Sequence, residues 1–393
     1  MRMKHLDTLR AFALLLVMVE HYGGKALNDH IPIGAGSVGV GCFFTLSGFL
    51  ITGILLESFD AHVESKRAVW FDFYARRLLR LMPAFYAVIL ALVILGIEPI
   101  AGSWPWHAAY LTNVWIALGH PDNVFWSLSV EEQFYLFWPF VIAFAPRGYL
   151  LHAIAALVAF SFLFKTGVWL AGFNTRDVNR LLFGNLVLLG AGCALAVVSY
   201  HDSRANWFGW YAGSTAQRFK TAAWLCLGAA VLSWWFFPKD GGLVRYFTND
   251  LFCGTFYAWV VLQAALGVES SLKPVFDSSV LQYIGRISYG LYLVHNWMPD
   301  IVQKYFGPIP KYEAGPIVLA LTFAVCILSW HFFEKPILGL KRYFWNAPLK
   351  RPSEPKEPGT GADRSDEGSE PARAIDRFIS RETAPYQVFR KGD

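Results

Sequence analysis

The chain has 393 residues, of which 55% are apolar and only 16% are charged, whereas soluble domains are typically about 25% charged. Its net charge of +5 comes from basic residues beside apolar runs, and no nucleic-acid-binding motif accompanies them, so nucleic acid is excluded as a partner. The five cysteines lie in apolar segments without a CxxC or Cys/His cluster, which excludes a metal site and a disulfide framework.

Ten apolar segments predict an all-α polytopic membrane protein with about ten transmembrane helices, since a run of about 20 residues crosses the hydrocarbon core. A further apolar stretch, 104–118, is rich in tryptophan and carries a histidine, so we expect it to lie at the membrane interface. The ten segments are 8–23, 36–56, 81–97, 134–146, 149–165, 181–199, 221–237, 250–267, 281–299 and 314–333.

The lysines and arginines that flank these segments are distributed unevenly between the two sides of the membrane. With the N-terminus inside, the inner pieces hold 18 Lys and Arg residues and the outer pieces hold 8. Five of the inner ones lie in the 57–80 loop alone. Because cytoplasmic loops are enriched in Lys and Arg, both termini are predicted to be cytoplasmic. The protein is then expected to be a multi-pass protein of the inner (plasma) membrane.

The composition changes near residue 352, where Pro, Gly, Ser and alternating charges replace the apolar residues. Such a sequence cannot bury enough apolar surface to fold alone. The predicted organisation is a membrane domain at 1–340, a basic juxtamembrane segment at 341–351 and a disordered cytoplasmic tail at 352–393.

The first predicted helix carries ionisable residues in the sequence RAFALLLVMVEH. Arg10 and His21 are eleven residues apart, within about 20° of three full turns, so they share one face about 16 Å apart along the axis. Asp7 is expected to pair with Arg10 and to cap the helix. Glu20 points about 100° away from His21 and receives no role. Taken alone, Arg10 would be a snorkelling flank residue and His21 an interfacial imidazole.

Small residues are prominent in the second segment. Its glycines and those just before it predict close packing against other helices. Ser47 lies in the sequence SGF rather than in a G-x-S-x-G elbow, so we assign it no catalytic role. The glycines concerned are at 34, 36, 39 and 41.

Three arginines precede the third segment in the sequence ARRLLRLMP. Arg76 and Arg80 are four residues apart and share a helix face, whereas Arg77 is offset by about 100°. Planar guanidinium groups suit phosphate oxygens better than an ammonium group does. The cluster therefore indicates either a phosphate site or a basic flank that only fixes the topology.

Two adjacent acids occur in the sequence SLSVEEQFY. Ser129 and Glu132 form a capping-box pattern, which gives Glu132 a structural role and leaves Glu131 as the freer carboxylate. Because its helix enters the membrane on the side where His21 is expected, Glu131 is predicted to orient or charge the His21 imidazole, or to contact an acceptor. The alternative is an acid at a helix start that is favoured by the helix dipole.

A polar stripe crosses the ninth segment in the sequence ISYGLYLVH. Ser288, Tyr292 and His295 follow i, i+4, i+7 spacing, which places them on one helix face. A polar stripe on an apolar helix indicates a cavity wall rather than a lipid-facing surface. For His295 an interfacial imidazole at the helix end is an equal alternative.

Six stretches resemble, in the right order, motifs of the integral-membrane acyltransferase family called acyltransferase 3, and the resemblance covers about residues 4–340. It implies transfer of an acyl group, usually acetyl, from cytoplasmic acyl-coenzyme A to a hydroxyl of a carbohydrate or small molecule, with no tightly bound cofactor. Many relatives carry an extra extracytoplasmic hydrolase-like domain, whereas only a short polar tail follows here, so the stand-alone form is expected. The stretches are R-AFALLLVMVE-H, FFTLSGFLIT (43–52), FYARRLLRLMPAFY (73–86), WSLSVEEQFYLFWP (126–139), ISYGLYLVH (287–295) and FFEKP (332–336).

The resemblance gives the candidate residues chemical roles. His21 is expected to act as a general base toward the acceptor hydroxyl or as a transient acyl carrier, and Glu131 to assist it. The stripe of Ser288, Tyr292 and His295 is expected to line the substrate cavity. The cations expected to bind the acyl-coenzyme A donor are Arg10, Arg76, Arg77 and Arg80.

The acceptor stays open among several carbohydrates. A cell-surface polysaccharide, a lipid-linked oligosaccharide, a secreted lipo-oligosaccharide and a small natural product all fit, with membrane lipids and separate polysaccharide-assembly proteins as further partners. The alternative function is a transporter or flippase for an anionic or glycan substrate, because intramembrane Arg, Glu and His also mark transport pathways. The lack of a convincing internal repeat weighs against a transporter.

Overall fold

The computed structural model describes residues 3–22, 34–61, 65–173, 179–201, 210–237, 242–307 and 311–340. Within these ranges every regular element is a helix, which confirms the all-α fold. By length and composition, five described segments could cross a membrane: Ala35–Ala61, Lys66–Ile94, Arg147–Leu170, Leu182–Tyr200 and Gly315–Gly339. The count of ten spans and the cytoplasmic placement of the termini stay predictions. The predicted segments 341–351 and 352–393 lie outside the described residues.

The helices follow the order of the predicted segments but are generally longer. In chain order they are α1 (Met3–Tyr22), α2 (Ala35–Ala61), α3 (Lys66–Ile94), α4 (Ile100–Ala108), α5 (Thr112–Ala117), α6 (Phe125–Phe144), α7 (Leu150–Leu170), α8 (Leu186–His201), α9 (Gly213–Phe236), α10 (Gly242–Leu266), α11 (Lys273–Phe276), α12 (Ser279–Arg286), α13 (Ser288–Val294), α14 (Met298–Phe306), α15 (Lys311–Ser329) and, after a π-helical turn at Trp330–Glu334, α16 (Lys335–Gly339).

Two predicted segments take a different form. The apolar stretch 104–118 lies across α4 and α5, which at nine and six residues are about 13 Å and 9 Å long and too short to span a membrane. The predicted segment 281–299 is divided among α12, α13 and α14 rather than forming one helix. The expected 57–80 loop is also largely helical, because α2 continues to Ala61 and α3 begins at Lys66, where the Ser65 side chain caps it.

Glycines allow α2 to approach its neighbours closely. A Cβ atom at Gly39 would overlap the Ala13 carbonyl oxygen of α1. Toward α8 the contact is reciprocal, since a Cβ at Gly48 would overlap the Leu189 carbonyl and one at Gly192 the Thr45 carbonyl. Close backbone approach of this kind is a main source of helix association in lipid. The predicted packing role of the α2 glycines is thus confirmed at Gly39.

An apolar core joins the helices that carry the candidate site. It includes Leu14 of α1, Phe85 of α3, Phe125 of α6 and Leu291 of α13, all of them fully buried. Because lipid tails are as apolar as these side chains, the core stabilises the bundle through close packing rather than through exclusion of water. The core therefore fixes the relative positions of α1, α3, α6 and α13.

A buried ion pair joins α7 to α10. Lys165, which the charge count assigned to an outer flank, is instead buried and pairs with Asp250. A charged group inside a membrane bundle is costly unless it is paired. The pair therefore links two helices that lie outside the core around the candidate site.

Candidate active site

Helix α1 carries the two ends of the candidate site. It runs without a break from Met3 to Tyr22, so Arg10 and His21 lie on one face about 16 Å apart, as the periodicity predicts. Arg10 donates from Nη1 to Asp7 Oδ1 at 2.9 Å, which confirms the predicted ion pair. The predicted cap at Asp7 is wrong, because the helix already begins at Met3 and Asp7 lies inside it.

Glu20, to which the sequence assigned no role, holds the start of the next helix. Its Oε2 accepts a hydrogen bond from the Gly36 backbone N–H at 2.5 Å. A Cβ at Gly36 would come within 3.0 Å of the same carboxylate, so glycine permits this approach. A carboxylate at a helix N-terminus satisfies an otherwise unpaired N–H and is favoured by the helix dipole. Glu20 therefore fixes α2 against the His21 end of α1.

A second imidazole lies against His21. The ring centroids of His21 and His295 are 5.0 Å apart and the rings are inclined by 34°. His295 is fully buried, whereas His21 is exposed. The Tyr22 hydroxyl donates to the His295 carbonyl oxygen at 2.5 Å and ties the two segments together. The His21 end therefore contains an imidazole pair contributed by α1 and the residue that ends α13.

The rest of the predicted stripe also faces the protein interior. Ser288 and Tyr292 are buried with His295, which confirms that they share an inward face of α13. The Tyr292 hydroxyl lies 2.5 Å from Ser127 Oγ and donates to the Val124 carbonyl oxygen at 3.3 Å. This stripe therefore packs against the start of α6 rather than against lipid, and its contact with substrate stays a prediction.

The sequence reasoning missed a carboxylate near His21, Asp122, and the cation that pairs with it, Arg180. Asp122, in the loop before α6, interacts electrostatically with His21, as Glu20 also does. Burial raises the pKa of the Asp122 carboxyl, and an ion pair with Arg180 partly offsets this. Arg180 in turn lies 5.4 Å from the centre of the Trp126 ring. A polar loop just before an apolar helix could have indicated Asp122. The pairing with Arg180 could not be predicted, because the two residues are 58 positions apart in the sequence.

Glu131 lies among the arginines of the Arg10 end. It accepts a hydrogen bond from Ser47 Oγ at 2.6 Å, and its charge interacts with those of Arg77 and Arg10. The expected capping box is wrong, because α6 begins at Phe125 and the Ser129 hydroxyl donates within the helix to the Phe125 carbonyl. Glu131 is thus held toward the cations, and its predicted action on His21 stays a prediction.

The three arginines of α3 have different surroundings. The Arg77 guanidinium lies 4.5 Å from the centre of the Tyr135 ring, beside Glu131. Arg76 instead donates to the Asp72 carbonyl oxygen at 3.1 Å on its own helix. Arg80 is half-buried. Arg77 and Arg76 thus make different contacts, as expected from their offset of about 100° on the helix.

The arrangement has two chemically distinct ends. At one end, cations with a carboxylate and a serine can bind an anionic group. At the other, an imidazole pair with nearby acids can accept and donate protons. One helix carries a residue of each group, so a long substrate could contact both.

These features define a class of protein: an all-helical membrane bundle in which one helix carries an arginine and a histidine on the same face. The chain belongs to the acyltransferase family whose model, Acyl_transf_3, is described as an acyltransferase domain and matches residues 3–333. The match confirms the resemblance that was drawn from the motifs.

Curated relatives include two O-acetyltransferases. The chain is similar to the peptidoglycan O-acetyltransferase OatA of Listeria monocytogenes serovar 1/2a, with 29% identity over 373 residues, which covers 86% of this chain and 56% of the relative. It is also similar to the O-acetyltransferase OatA of Staphylococcus aureus strain NCTC 8325, with 27% identity over 366 residues, or 84% of this chain and 56% of the relative. The chain thus spans about half the length of these relatives. No solved structure matches it.

Proposed function

We propose that the protein is a membrane O-acyltransferase that moves an acyl group, usually acetyl, from cytoplasmic acyl-coenzyme A to a hydroxyl of a carbohydrate. The observation that carries the proposal is the arrangement along α1, where Arg10 and His21 lie about 16 Å apart on one face and His295 packs against His21. Membership of the acyltransferase family supports the reaction class, and the O-acetyltransferase relatives support acetyl as the group.

The Arg10 end is the proposed donor site. Coenzyme A carries phosphate groups at one end of a long arm and the thioester at the other. Guanidinium groups bind phosphates through several charge-assisted hydrogen bonds. The charges of Arg10 and Arg77 both interact with that of Glu131, and Arg76 and Arg80 are on the same helix as Arg77. With the phosphates bound there, the arm can extend along the face of α1 toward His21.

The His21 end is the proposed site of acyl transfer. The acceptor oxygen attacks the acyl carbon, a C–O bond forms, the C–S bond breaks, and the hydroxyl proton ends on the coenzyme A sulfur. His21 either takes this proton as a general base or carries the acyl group between the two substrates. Asp122 and Glu20 interact electrostatically with His21.

The membrane arrangement follows from the same proposal. Ten spans with both termini in the cytoplasm would place the donor arginines at the inner face and His21 toward the outer face of the inner (plasma) membrane. The acceptor would then be a glycan at or beyond the outer face, delivered by separate assembly proteins. The peptidoglycan named for the Listeria relative is one such acceptor.

Radiolabelled acetyl-coenzyme A and the purified protein in lipid nanodiscs provide the test. With an oligosaccharide acceptor, His21→Ala should lower kcat by about 10²–10⁴-fold, the usual contribution of a general acid–base group, while coenzyme A binding is retained. Arg10→Ala should chiefly raise the KM for acetyl-coenzyme A, by roughly 10- to 150-fold for one charge-assisted hydrogen bond.

The matched control is Arg67→Ala, because Arg67 is an exposed cation on the same helix as Arg76, Arg77 and Arg80. This variant should keep the wild-type KM for acetyl-coenzyme A. Near-normal turnover by His21→Ala would contradict the proposed chemistry. A wild-type protein that neither binds coenzyme A nor releases it from acetyl-coenzyme A, yet moves glycans across vesicles, would instead establish a transporter.

A further inference from the structure

We propose that His295 is a second catalytic residue, whose Nε2 atom accepts the proton of the acceptor hydroxyl beside His21. The inference rests on the proposed function and adds to it the identity of the base. It starts from three observations on His295: its fixed tautomer, its burial without a partner for Nε2, and its contact with the His21 ring.

The tautomer of His295 is fixed by backbone oxygens. Its Nδ1 atom lies 2.8 Å from the Tyr292 carbonyl oxygen and 3.2 Å from the Leu291 carbonyl oxygen. A carbonyl oxygen can only accept a hydrogen bond, so Nδ1 carries the hydrogen in the neutral ring. Nε2 is therefore a bare nitrogen with a lone pair, which is the form of imidazole that can take up a proton.

This bare nitrogen is buried and unpaired within the described part of the chain. His295 is fully buried, and among the residues that the structure describes Nε2 has no hydrogen-bond partner. A buried acceptor without a donor costs free energy, so such atoms in native proteins usually have a functional explanation. The ligand that satisfies an acceptor-only nitrogen is an O–H or N–H donor, and the hydroxyl of the acceptor carbohydrate is such a donor.

The surroundings hold this nitrogen at the site of transfer. The His295 ring centre is 5.0 Å from that of His21, and the Tyr22 hydroxyl donates to the His295 carbonyl oxygen. One turn earlier, the Tyr292 hydroxyl is bonded to Ser127 of α6. The imidazole is therefore anchored from both α1 and α6, which is the rigidity that a proton-transfer group requires.

Two imidazoles allow the two tasks of the reaction to be divided. His21 takes the acyl group from the thioester: an N–C bond forms, the C–S bond breaks, and the coenzyme A sulfur leaves with the proton of His21. The acceptor hydroxyl then loses its proton to His295 Nε2 as its oxygen attacks the acyl carbon and the C–N bond breaks. The proton passes from His295 to the freed nitrogen of His21, which restores both rings.

A pair of amide substitutions separates a catalytic from a structural role. In His295→Asn the amide NH₂ takes the position of Nδ1 and can keep the bonds to the two carbonyls, but nothing replaces Nε2. In His295→Gln the amide oxygen reaches the position of Nε2 and can accept a hydrogen bond but not a proton. We expect both variants to fold and to bind coenzyme A, with kcat/KM for acetyl-coenzyme A unchanged and kcat lowered by about 10²–10⁴-fold.

His107→Asn is the matched control. His107 is also fully buried, but both of its ring nitrogens are bonded, to Ser103 and Thr112 at 2.9 Å each. This variant should lose stability and keep kcat per folded molecule. A further readout reports on the base itself: added imidazole should partly restore the activity of His295→Ala.

Near-normal kcat in His295→Asn would show a structural role and overturn the proposal, and near-normal kcat in His295→Gln would show hydrogen bonding without proton transfer. Where the Asn variant does not purify as a monodisperse protein, imidazole rescue of a folded His295→Ala decides, and failure of rescue overturns the proposal. These outcomes presuppose an active wild type. If wild-type protein transfers no acetyl group from acetyl-coenzyme A, the proposed function itself has failed.

Discussion

The buried ion pair between Lys165 of α7 and Asp250 of α10 provides a test of how the bundle is held together away from the site. The Lys165 side chain is 3% exposed and that of Asp250 is 19% exposed. Replacing Lys165 by methionine keeps an unbranched side chain of similar volume and removes the cation. The Asp250 carboxylate is then left without its partner inside the bundle.

The size of the effect follows from this burial. Removing one partner of a buried ion pair costs about 3–5 kcal/mol, because the remaining charge stays away from water, whereas replacing both by apolar residues is about neutral or stabilising. At roughly 2–4 °C per kcal/mol, Lys165→Met should lower Tm by about 6–20 °C. The double variant with Asp250→Leu should recover most of this loss.

The assay is thermal unfolding of the purified protein in detergent, followed by tryptophan fluorescence, together with acetyl transfer below Tm. Because neither side chain belongs to the candidate site, the double variant should retain the transfer activity. A single variant that melts within about 2 °C of wild type would refute the claim that the pair is buried and desolvated. A double variant with wild-type Tm but no activity would show that the pair serves the reaction.

Two further substitutions test the contacts around α2. Gly192→Ala should lower Tm strongly, because the added Cβ would overlap the Thr45 carbonyl oxygen. Its control is Gly228→Ala on α9, where a Cβ meets nothing within 4 Å, and this variant should be neutral or slightly stabilising. Equal Tm values for the two variants would contradict the close packing of α2 against α8. Glu20→Ala should cost about 1.5–3 kcal/mol by removing the charged acceptor of the Gly36 N–H. In the same unfolding assay, Glu20→Gln should recover part of this loss, and a wild-type Tm in Glu20→Ala would rule out the cap.

The features that depend on hydropathy and on the helical period were the most predictable from the sequence. Hydropathy identified the helical class, and the 3.6-residue period correctly placed Arg10 and His21 on one face of α1. The Asp7 pair with Arg10 also followed, because partners three residues apart on a helix meet regardless of the tertiary fold. These predictions depend on local geometry alone, which the sequence determines.

Helix starts were less predictable because competing capping residues were present. The capping box at Ser129 and Glu132 failed because Asn123 Oδ1 accepts a hydrogen bond from the Phe125 N–H and starts α6 earlier. An asparagine two residues before an apolar run was therefore the better signal. At α1, the helix extends N-terminally past Asp7 to Met3, so the aspartate is used for the Arg10 pair instead.

Contacts between distant segments could not be predicted from one sequence. Ser47 is 84 residues from Glu131 and Arg180 is 58 residues from Asp122, and no local pattern links either pair. The burial of His295 is a similar case, because an imidazole at a helix end suits either an interface or a core. Only the packing of α1 and α6 against α13 decided between these two environments.

The continuity of α1 has a consequence for the choice of donor. Since Arg10, proposed to bind phosphate, and His21, proposed to accept the acyl group, are attached to one unbroken helix, their spacing is set by covalent and hydrogen-bond geometry, and small shifts between neighbouring helices leave it unchanged. The helix then sets the distance between the two groups. With its phosphates at Arg10, a thioester on a shorter carrier would not reach His21, and one on a longer carrier would extend past it. Under the proposed function, we therefore expect the protein to select its donor first by length rather than by the identity of the acyl group.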